Sequence, residues 1–266
     1  MKNRMFVFIV LALVLVISGC GTKKNEGGVQ KIIVGATNQF PQVSFLDKDG
    51  KLTGYDIELV REIDKRLPNY EFEFKILDAL PSMLLSLDTN KIDMIAHEIA
   101  KNPERDEKYL FNKVPYAYWK NMITVAKDNN DPIETLDDVK GKKFLTHASS
   151  SAEQVLKNYN KDHDNAIELV YASGDVFDIA EQISTGRVYA SLQSDFVLPV
   201  IDPQGKLKTV GKPLSQSEIL FLFRKNDSEG QTLADAIDKV LQEMKEDGTL
   251  SALSKQWLGQ DFTTAD

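Results

Sequence analysis

Two patterns of apolar residues alternate along the chain. One is a short continuous run, and the other is the three- and four-residue spacing typical of helices. Lys31–Ala36 is an apolar run that predicts a buried strand, and Tyr70–Leu77 alternates apolar with charged residues, as a strand exposed on one face does. Between them, Asp56 is predicted to cap a helix with its apolar face at Leu59, Val60, Ile63 and Leu67. A helix over Leu80–Leu87 and a strand over Ile92–Ala96 complete the order β, α, β, α, β. This order predicts a parallel sheet covered by helices.

The same pattern restarts after a strand at Asn121–Ala126, which predicts a second α/β unit. Thr135 and Asp138 have the spacing of a capping box at a helix start. Further strands and helices of this unit are predicted at Lys143–Thr146, Ala152–Tyr159, Ile167–Tyr171, Val176–Ser184 and Val188–Leu192. The chain then returns to the first unit, with strands at Leu207–Val210 and Ile219–Phe223 and helices at Thr232–Met244 and Gly248–Trp257.

The second unit interrupts the first, so two connecting segments are needed. We place them near residues 119–122 and 211–215. Lobe 1 is then predicted at residues 31–118 and 215–266, and lobe 2 at residues 123–211. Two connections of this kind form a hinge about which lobes close on a ligand. The predicted fold class is α/β, with two lobes whose parallel-type sheets are joined by a two-stranded hinge.

Residues 1–19 have the organisation of a bacterial lipoprotein signal peptide. A basic start precedes an apolar run at residues 5–17, shorter than the roughly 20 residues of a membrane-spanning helix. Ile17-Ser-Gly-Cys20 resembles a lipobox, which implies cleavage before Cys20 and a diacylglyceryl thioether on its sulfur. The alternative is an ordinary signal with an incidental cysteine. Cys20 is the only cysteine, and residues 20–30 are predicted to form a flexible tether between lipid and domain.

Composition narrows the classes of function. The net charge is −8, and an acidic chain of this kind argues against nucleic acid as a partner. The three histidines, His97, His147 and His163, do not have the spacing of a metal site. No phosphate-binding loop or Ser-His-Asp order is present in the sequence. We therefore expect no metal, no cofactor and no enzymatic activity.

The stretch Ala96–Tyr116 carries the strongest candidate chemistry. It follows the predicted strand Ile92–Ala96, and in open α/β sheets ligands bind at the carboxyl ends of strands. Asn102 suits an N-cap and Pro103 suits the first turn of a helix, which places Arg105 in that turn. A guanidinium there can bind a carboxylate through two parallel hydrogen bonds. The alternative is a solvated arginine in weak pairs with its acidic neighbours.

Five short motifs stand in order between about residues 31 and 262. They are Phe40-Pro with Ser44–Asp56, Asn102–Arg105 with Phe111 and Pro115-Tyr116, Gly186–Asp195, Asp247–Leu250, and Lys255–Gly259. Together they resemble the polar amino-acid binding proteins of ABC importers, solute-binding protein family 3. The resemblance implies a two-lobed periplasmic-binding-protein-like fold of type II. It also implies an extracytoplasmic protein that binds a free amino acid.

The resemblance implies a carboxylate pocket around Arg105, which would clamp the α-carboxylate of the ligand. Backbone N–H groups near Ala100, together with Ser150 and Ser151, would complete that pocket. Independently of the family, Ser150 and Glu153 have capping-box spacing, and a helix N-terminus favours an anion. Capping alone is the other reading of the two serines, and the two roles are compatible.

Three further positions match the family's ligand contacts. Asp195 would hold the α-ammonium group, with a helix N-cap as the alternative. Phe40 would lie flat against the ligand side chain, with core packing as the alternative. Leu80 matches a position on the wall of the cleft.

Departures from the family pattern bear on the ligand. Thr37 stands where members that bind basic ligands often carry an acid, which disfavours lysine or arginine as the ligand. Ser149 stands where glycine is frequent, which leaves the shape of that turn open. The loops Ala96–Arg105 and Tyr109–Tyr116 look most like the cystine and sulfur amino-acid subgroup. His97 and Glu98 either face the ligand side chain or form a satisfied polar pair at the rim.

The leading functional hypothesis is a monomeric receptor, lipid-anchored to the outer face of the cytoplasmic membrane. It would close on cystine or another polar or sulfur amino acid and deliver it to an ABC permease with its ATPase subunits. Two alternatives remain open. One is an arogenate- or prephenate-dehydratase-like enzyme on the same fold, with Glu98 or His97 as general acid. The other is an extracellular amino-acid sensor or adhesin.

Overall fold

The computed structural model describes residues 28–172 and 178–265, so the predicted signal, Cys20 and most of the tether lie outside it. Its strands are β1 (Gln30–Ala36), β2 (Gln39–Phe40), β3 (Ser44–Leu46), β4 (Leu52–Thr53), β5 (Tyr70–Ile76), β6 (Met94–Ala100), β7 (Tyr109–Phe111), β8 (Ala117–Ala126), β9 (Lys143–Thr146), β10 (Glu168–Tyr171), β11 (Ala190–Ser194) and β12 (Leu207–Arg224). Its helices are α1 (Tyr55–Arg66), α2 (Leu80–Asp88), α3 (Pro103–Lys108), α4 (Ser151–Asp162), α5 (Asp178–Ser184), α6 (Leu198–Ile201), α7 (Ser228–Glu246) and α8 (Thr249–Leu258), with a 3-10 helix at Leu136–Val139.

The strands of both lobes are hydrogen-bonded in the order β10-β9-β11-β8-β12-β6-β1-β5, with β7 also pairing with β12. We call β1–β7 with α1–α3, α7 and α8 lobe 1, and β9–β11 with α4–α6 lobe 2. β5, β1 and β6 run parallel in lobe 1, and β10, β9 and β11 run parallel in lobe 2. The predicted two-lobed α/β class is confirmed. Hydrogen bonds continue through the connection, so the two parallel arrays join in one path.

β8 and β12 are the connection between the lobes. They pair antiparallel over most of their length, and the register shifts between Val210 and Ser215. Gly211 lies in that shift with a φ of 70°, and a Cβ there would lie 2.6 Å from the Glu134 carbonyl oxygen. The second predicted connecting segment, residues 211–215, contains this irregularity. The exact lobe boundaries stay a prediction.

Apolar side chains cover both faces of the lobe 1 sheet. α1, α7 and α8 pack on one face and α2 packs on the other. In the predicted apolar face of α1, Leu59, Val60 and Ile63 are fully buried and Leu67 is partly buried. Lobe 2 has its own core, in which Phe144 of β9 packs with Leu156 of α4.

The start of α1 differs from the prediction. Gly54, not Asp56, is the N-cap residue, and it has a φ of 116°. A Cβ on Gly54 would lie 2.5 Å from the Val43 carbonyl oxygen, so the close approach of the two segments requires glycine. Asp56 lies inside the first turn and is fully buried. The cap prediction for Asp56 is therefore wrong, because its carboxylate is used elsewhere in the fold.

In the part of the chain that the structure describes, no helix combines the length and apolar character needed to cross a membrane.

Candidate ligand-binding site between the lobes

A cavity of about 740 Å³ lies between the lobes, a size typical of small-molecule sites. Lobe 1 contributes the β2 segment, the start of α2 and the end of β6. Lobe 2 contributes β9, the start of α4 and the end of β11. Seven sequence-predicted site residues line the cavity, namely Arg105, Ser150, Ser151, Phe40, Leu80, His97 and Glu98. Ala100 and Asp195 do not line it.

Arg105 belongs to lobe 1 and reaches lobe 2. Its backbone N–H donates to Asn102 Oδ1 at 2.8 Å. Asn102 is therefore the N-cap of α3, as predicted. Nη1 donates to the Ala100 carbonyl oxygen at 2.8 Å, and Nη2 donates to the Ser149 carbonyl oxygen across the cavity. The side chain is buried, and burial lowers the pKa of Arg105, although an arginine remains charged in a protein. The guanidinium of Arg105 is thus held in place by one carbonyl oxygen from each lobe.

The turn from β9 to α4 faces Arg105 from lobe 2. Ser149 has a φ of 62°, in the left-handed region that glycine favours, and its N–H donates to Glu153 Oε2 at 2.6 Å. Ser150 Oγ accepts from the Glu153 N–H at 3.0 Å and is the N-cap of α4. Ser151 begins the helix and lines the cavity. The N-terminus of α4 therefore brings a positive dipole end beside the guanidinium, which favours an anion between them.

β6 contains a bulge that the sequence did not indicate. It continues to Ala100, beyond the predicted end at Ala96. β6 pairs with β12 through Ile95 and Ile99, with three residues on β6 between these positions where β12 has one. Within the bulge, Glu98 has a φ of 49°. Because bulges redirect side chains, His97 and Glu98 leave the ladder and line the cavity.

Glu98 contacts both lobes. Its Oε1 accepts from Ser194 Oγ of lobe 2 at 3.0 Å, and its backbone N–H donates to Asp56 Oδ2 at 2.8 Å. Burial raises the pKa of Glu98 well above its ordinary value, and the charges of Asp56 and Asp195 raise it further, against the Ser194 hydrogen bond. Burial also raises the pKa of Asp56 to about 7. The two carboxyls therefore form an acidic pair whose protonated state is favoured.

His97 and Phe40 form an uncharged wall next to this pair. Burial lowers the pKa of His97 to about 4, with smaller contributions from Arg105 and His147. The ring centroids of Phe40 and His97 are 6.0 Å apart, edge to face, and Phe40 lies 6.1 Å from Phe196 of lobe 2. The buried His97 Nδ1 has no partner among the described residues, so the alternative of a satisfied polar pair is not met at His97.

Asp195 lies close enough to Glu98 for its charge to raise the Glu98 pKa, but it is not among the residues that line the cavity. Asp195 follows β11, and its Oδ1 accepts from the Lys120 N–H at 3.3 Å while its own N–H donates to the Lys120 carbonyl oxygen at 3.0 Å. Burial raises its pKa, and the Lys120 N–H and charge oppose that rise. The N-cap of α6 is Val197, so the alternative of a helix cap is not met there. Binding of an ammonium group by Asp195 stays a prediction, and its place outside the cavity lining does not support it.

Ala100 likewise differs from its expected use. The resemblance implied backbone N–H donors near this residue, whereas the structure places its carbonyl oxygen as an acceptor for Arg105. Ala100 thus orients the guanidinium. Over residues 28–172 and 178–265, no group of three or more His, Cys, Asp or Glu side chains could hold a metal ion.

The family model described as bacterial extracellular solute-binding proteins, family 3, matches residues 32–260. The chain belongs to this family. The resemblance found in the sequence is therefore confirmed, and membership of an extracellular family places the protein outside the cytoplasm.

Relatives of this family 3 protein include two proteins of Bacillus subtilis. The L-cystine-binding protein TcyK is 42% identical over 268 residues, covering 97% of this chain and 96% of TcyK. The L-cystine-binding protein TcyJ is 41% identical over 269 residues, covering 98% of this chain and 97% of TcyJ. The solved structure of a proposed L-cystine ABC transporter protein from Listeria monocytogenes has a TM-score of 0.81 and 40% identity, covering 89% of this chain and all of that one. These relatives are solute-binding proteins rather than enzymes.

Sequence reasoning about this family 3 protein missed two residues that contact Glu98. Asp56 precedes Leu59, Val60 and Ile63 by three, four and seven positions, so helical spacing places it on the buried face of α1. That spacing could have identified Asp56 as a buried carboxylate. Ser194 ends β11, where strand ends approach the ligand, but only the closure of the lobes brings it to Glu98.

Proposed function

We propose that the protein is the extracytoplasmic substrate-binding lipoprotein of an amino-acid ABC importer and that its ligand is cystine. The observation that carries the proposal is the cavity with Arg105 on one wall and the start of α4 on the other. A guanidinium and a helix N-terminus converge there on the position of one carboxylate. The names of TcyK, TcyJ and the Listeria monocytogenes protein support cystine as the ligand.

The mechanism follows from contacts that need both lobes. Arg105 of lobe 1 bonds to Ser149 of lobe 2, and Glu98 of lobe 1 bonds to Ser194 of lobe 2. A zwitterion between these pairs would bind the closed arrangement more tightly than an open one. Ligand binding would therefore shift the population toward the closed state, which the permease would recognise.

The lipid anchor is part of the proposal and rests on the sequence around Cys20. A signal of 19 residues ending at a lipobox supports a thioether-linked lipid and a monomer tethered to the outer face of the membrane. Mass spectrometry of the protein from membranes should find the lipid on an N-terminal Cys20. A mature chain that begins elsewhere would contradict the anchor.

A thermal-shift screen of free amino acids, with cystine included, tests the ligand. A ligand at 100 times its Kd should add about 2.7 kcal/mol to the free energy of unfolding. We expect cystine to give the largest shift and lysine and arginine to give little. A screen in which cystine produces no shift would contradict the ligand assignment.

We also propose that the protein is not an enzyme. The alternative to test directly is a dehydratase, because burial raises the pKa of Glu98, and a carboxyl with a raised pKa is suited to act as a general acid. Incubation with arogenate or prephenate should leave both unchanged.

Uptake of labelled cystine separates an importer component from a sensor or adhesin. Uptake should fall when the gene is deleted, whereas deletion of a sensor or adhesin would leave uptake intact.

A further inference from the structure

Two histidines line the cavity, one from each lobe. His97 lies in the bulge of β6, and His147 directly follows β9, at the carboxyl end of that strand. The two rings lie close enough for the charge of His147 to lower the pKa of His97. They therefore face the same part of the cavity from opposite lobes.

Each of these rings has a nitrogen whose hydrogen bonding is incomplete. His97 Nδ1 and His147 Nε2 are buried, and neither has a partner among the described residues. His163 differs, because it lies outside the cavity lining and its Nδ1 donates to the Tyr159 carbonyl oxygen at 2.8 Å. Buried polar groups are normally hydrogen-bonded, and leaving one unpaired costs free energy. Two unpaired nitrogens on facing walls of one cavity therefore indicate a partner from outside the chain.

The surroundings of the two rings favour an anion as that partner. Burial, with smaller contributions from Arg105 and His147, lowers the pKa of His97 to about 4, and burial lowers the pKa of His147. Both rings are therefore neutral near pH 7. An anion between them would raise both pKa values again, because it stabilises the imidazolium form. A cation there would instead meet the positive charge of Arg105.

The ionisable groups around the rings do not supply that anion. Asp78 and Glu98 line the cavity together with Arg105. Asp78 is exposed, and burial favours the protonated, uncharged form of Glu98. Three further carboxyls close to the cavity lie outside its lining, namely Asp56, Glu153 and Asp195. The space between the two rings is therefore suited to an anionic group of the ligand.

We propose that His97 and His147 bind a second carboxylate, carried by the side chain of the amino-acid ligand, such as the one at the far end of cystine. The inference rests on the proposed function and names the class of ligand, an amino acid whose side chain ends in a carboxylate. A cavity of about 740 Å³ has room for such a ligand. Because the two rings belong to different lobes, a carboxylate between them would favour the closed state. A ring that takes up a proton from solvent on binding would pair its charge with this carboxylate.

The test compares two ligands by calorimetric titration. One is cystine, and the other is the mixed disulfide of cysteine and cysteamine, which is cystine without one of its carboxylates. The wild type should prefer cystine by about 10-fold or more, because hydrogen bonds to a charged group are strong. The double variant His97→Leu, His147→Leu should lose this preference and bind the mixed disulfide within about 3-fold of the wild type. His163→Leu is the matched control and should keep the preference.

Amide variants separate hydrogen bonding from proton uptake and keep the site polar if the leucine variant fails to fold. His97→Asn and His147→Gln can still form hydrogen bonds near the unpaired nitrogens but cannot take up a proton. In the wild type, the preference for cystine should rise as the pH falls from 7.5 to 5.5, because binding of the anion takes up protons. In the double amide variant, part of the preference should remain and its pH dependence should disappear. The ratio of two affinities cancels the titration of Asp78 and Glu98, which act on both ligands. A wild-type preference that is equal at both pH values would overturn the proton uptake.

The outcomes distinguish this inference from the proposed function. If the wild type binds cystine and the mixed disulfide equally well, the rings bind no second carboxylate and the proposed function stands. The inference is also overturned if the leucine variant keeps the wild-type preference, or if it loses affinity for both ligands equally, since the rings would then only shape the cavity. If the wild type binds no free amino acid in the screen, the proposed function fails and the inference fails with it.

Discussion

The cavity has a carboxylate side, formed by Arg105 and the start of α4, and an acidic side, formed by Glu98 and Asp56. The charged groups on these two sides have different surroundings. On the carboxylate side, the Arg105 guanidinium donates to two backbone carbonyl oxygens, and α4 presents its N-terminus beside it. On the acidic side, Glu98 and Asp56 lie together without a cation among the described residues. The guanidinium has acceptors within the protein, whereas burial favours the protonated form of the two carboxyls.

Substitution of Arg105 should have the largest effect on ligand binding, because it removes the cation from the carboxylate side of the cavity. Arg105→Ala removes the charge that faces the carboxylate, so the stabilisation of about 2.7 kcal/mol expected at 100 times the wild-type Kd should vanish. Thermal unfolding with and without cystine measures this. Arg187→Ala, which removes an exposed arginine, is the matched control and should keep the full shift. A ligand shift that survives in Arg105→Ala would refute the clamp.

The second prediction concerns the pH dependence of the acidic side. The pKa of Asp56 is raised from its ordinary 3.8 to about 7 in the folded protein. Between these values the folded state holds a proton on Asp56 that the unfolded chain has released, so the Asp56 contribution to the free energy of unfolding falls as pH rises through this window. One such proton corresponds to a slope of about −1.4 kcal/mol per pH unit. Glu98 acts in the same direction as Asp56. The contribution of His97, whose pKa is lowered from 6.5 to about 4, rises with pH between those two values.

Asp56→Asn should therefore make the slope of the free energy of unfolding against pH more positive than that of the wild type between pH 4.5 and 7, by up to about 1.4 kcal/mol per pH unit. Urea unfolding at both pH values measures the two slopes. The asparagine Oδ1 can still accept from the Glu98 N–H, so the bulge should persist. Asp49→Asn, in an exposed turn, serves as the control and should keep the wild-type slope. Identical slopes for wild type and Asp56→Asn would show that Asp56 is ionised in the folded state.

The third prediction returns to the carboxylate side. Ser150→Ala removes the N-cap of α4, whose Oγ accepts from the Glu153 N–H. Loss of a cap of this type lowers the free energy of unfolding by about 1 kcal/mol. Ser150→Asn, which can cap, should restore most of it. If both variants are equally destabilised, the serine acts through packing and not through the cap.

The smallest expected effect is on ligand affinity, and it concerns a hydrogen bond on the acidic side of the cavity. Ser194→Ala removes the hydroxyl that donates to Glu98 Oε1 across the cleft. A hydrogen bond of this kind contributes about 1 kcal/mol, which corresponds to about a 5-fold weaker affinity for cystine. Calorimetric titration measures the affinity. Because the contact joins the lobes, the melting temperature of the ligand-free protein should change little. A lower melting temperature of the ligand-free protein with unchanged affinity for cystine would contradict a role of Ser194 in ligand binding.

Local patterns were sufficient for most of the fold and for the cationic half of the site. The apolar face of α1, the Asn102 cap and the capping-box residues around α4 all depend on neighbours within a few positions, so spacing reveals them. The same holds for Arg105, because its position follows from the start of α3. The acidic half depended on contacts between distant segments, such as that between Asp56 and Glu98.

The sequence by itself determined the two-lobed α/β fold, the family and the arginine that faces the cavity. Only the tertiary structure decided that β6 bulges at Glu98, that Asp56 lies buried beneath it and that Asp195 is bonded to the Lys120 backbone. The physical reason is that helix and strand periods are short-range properties of the chain. A bulge depends on register with a partner strand more than a hundred positions away, and the charge balance of a buried carboxylate depends on every segment that folds against it.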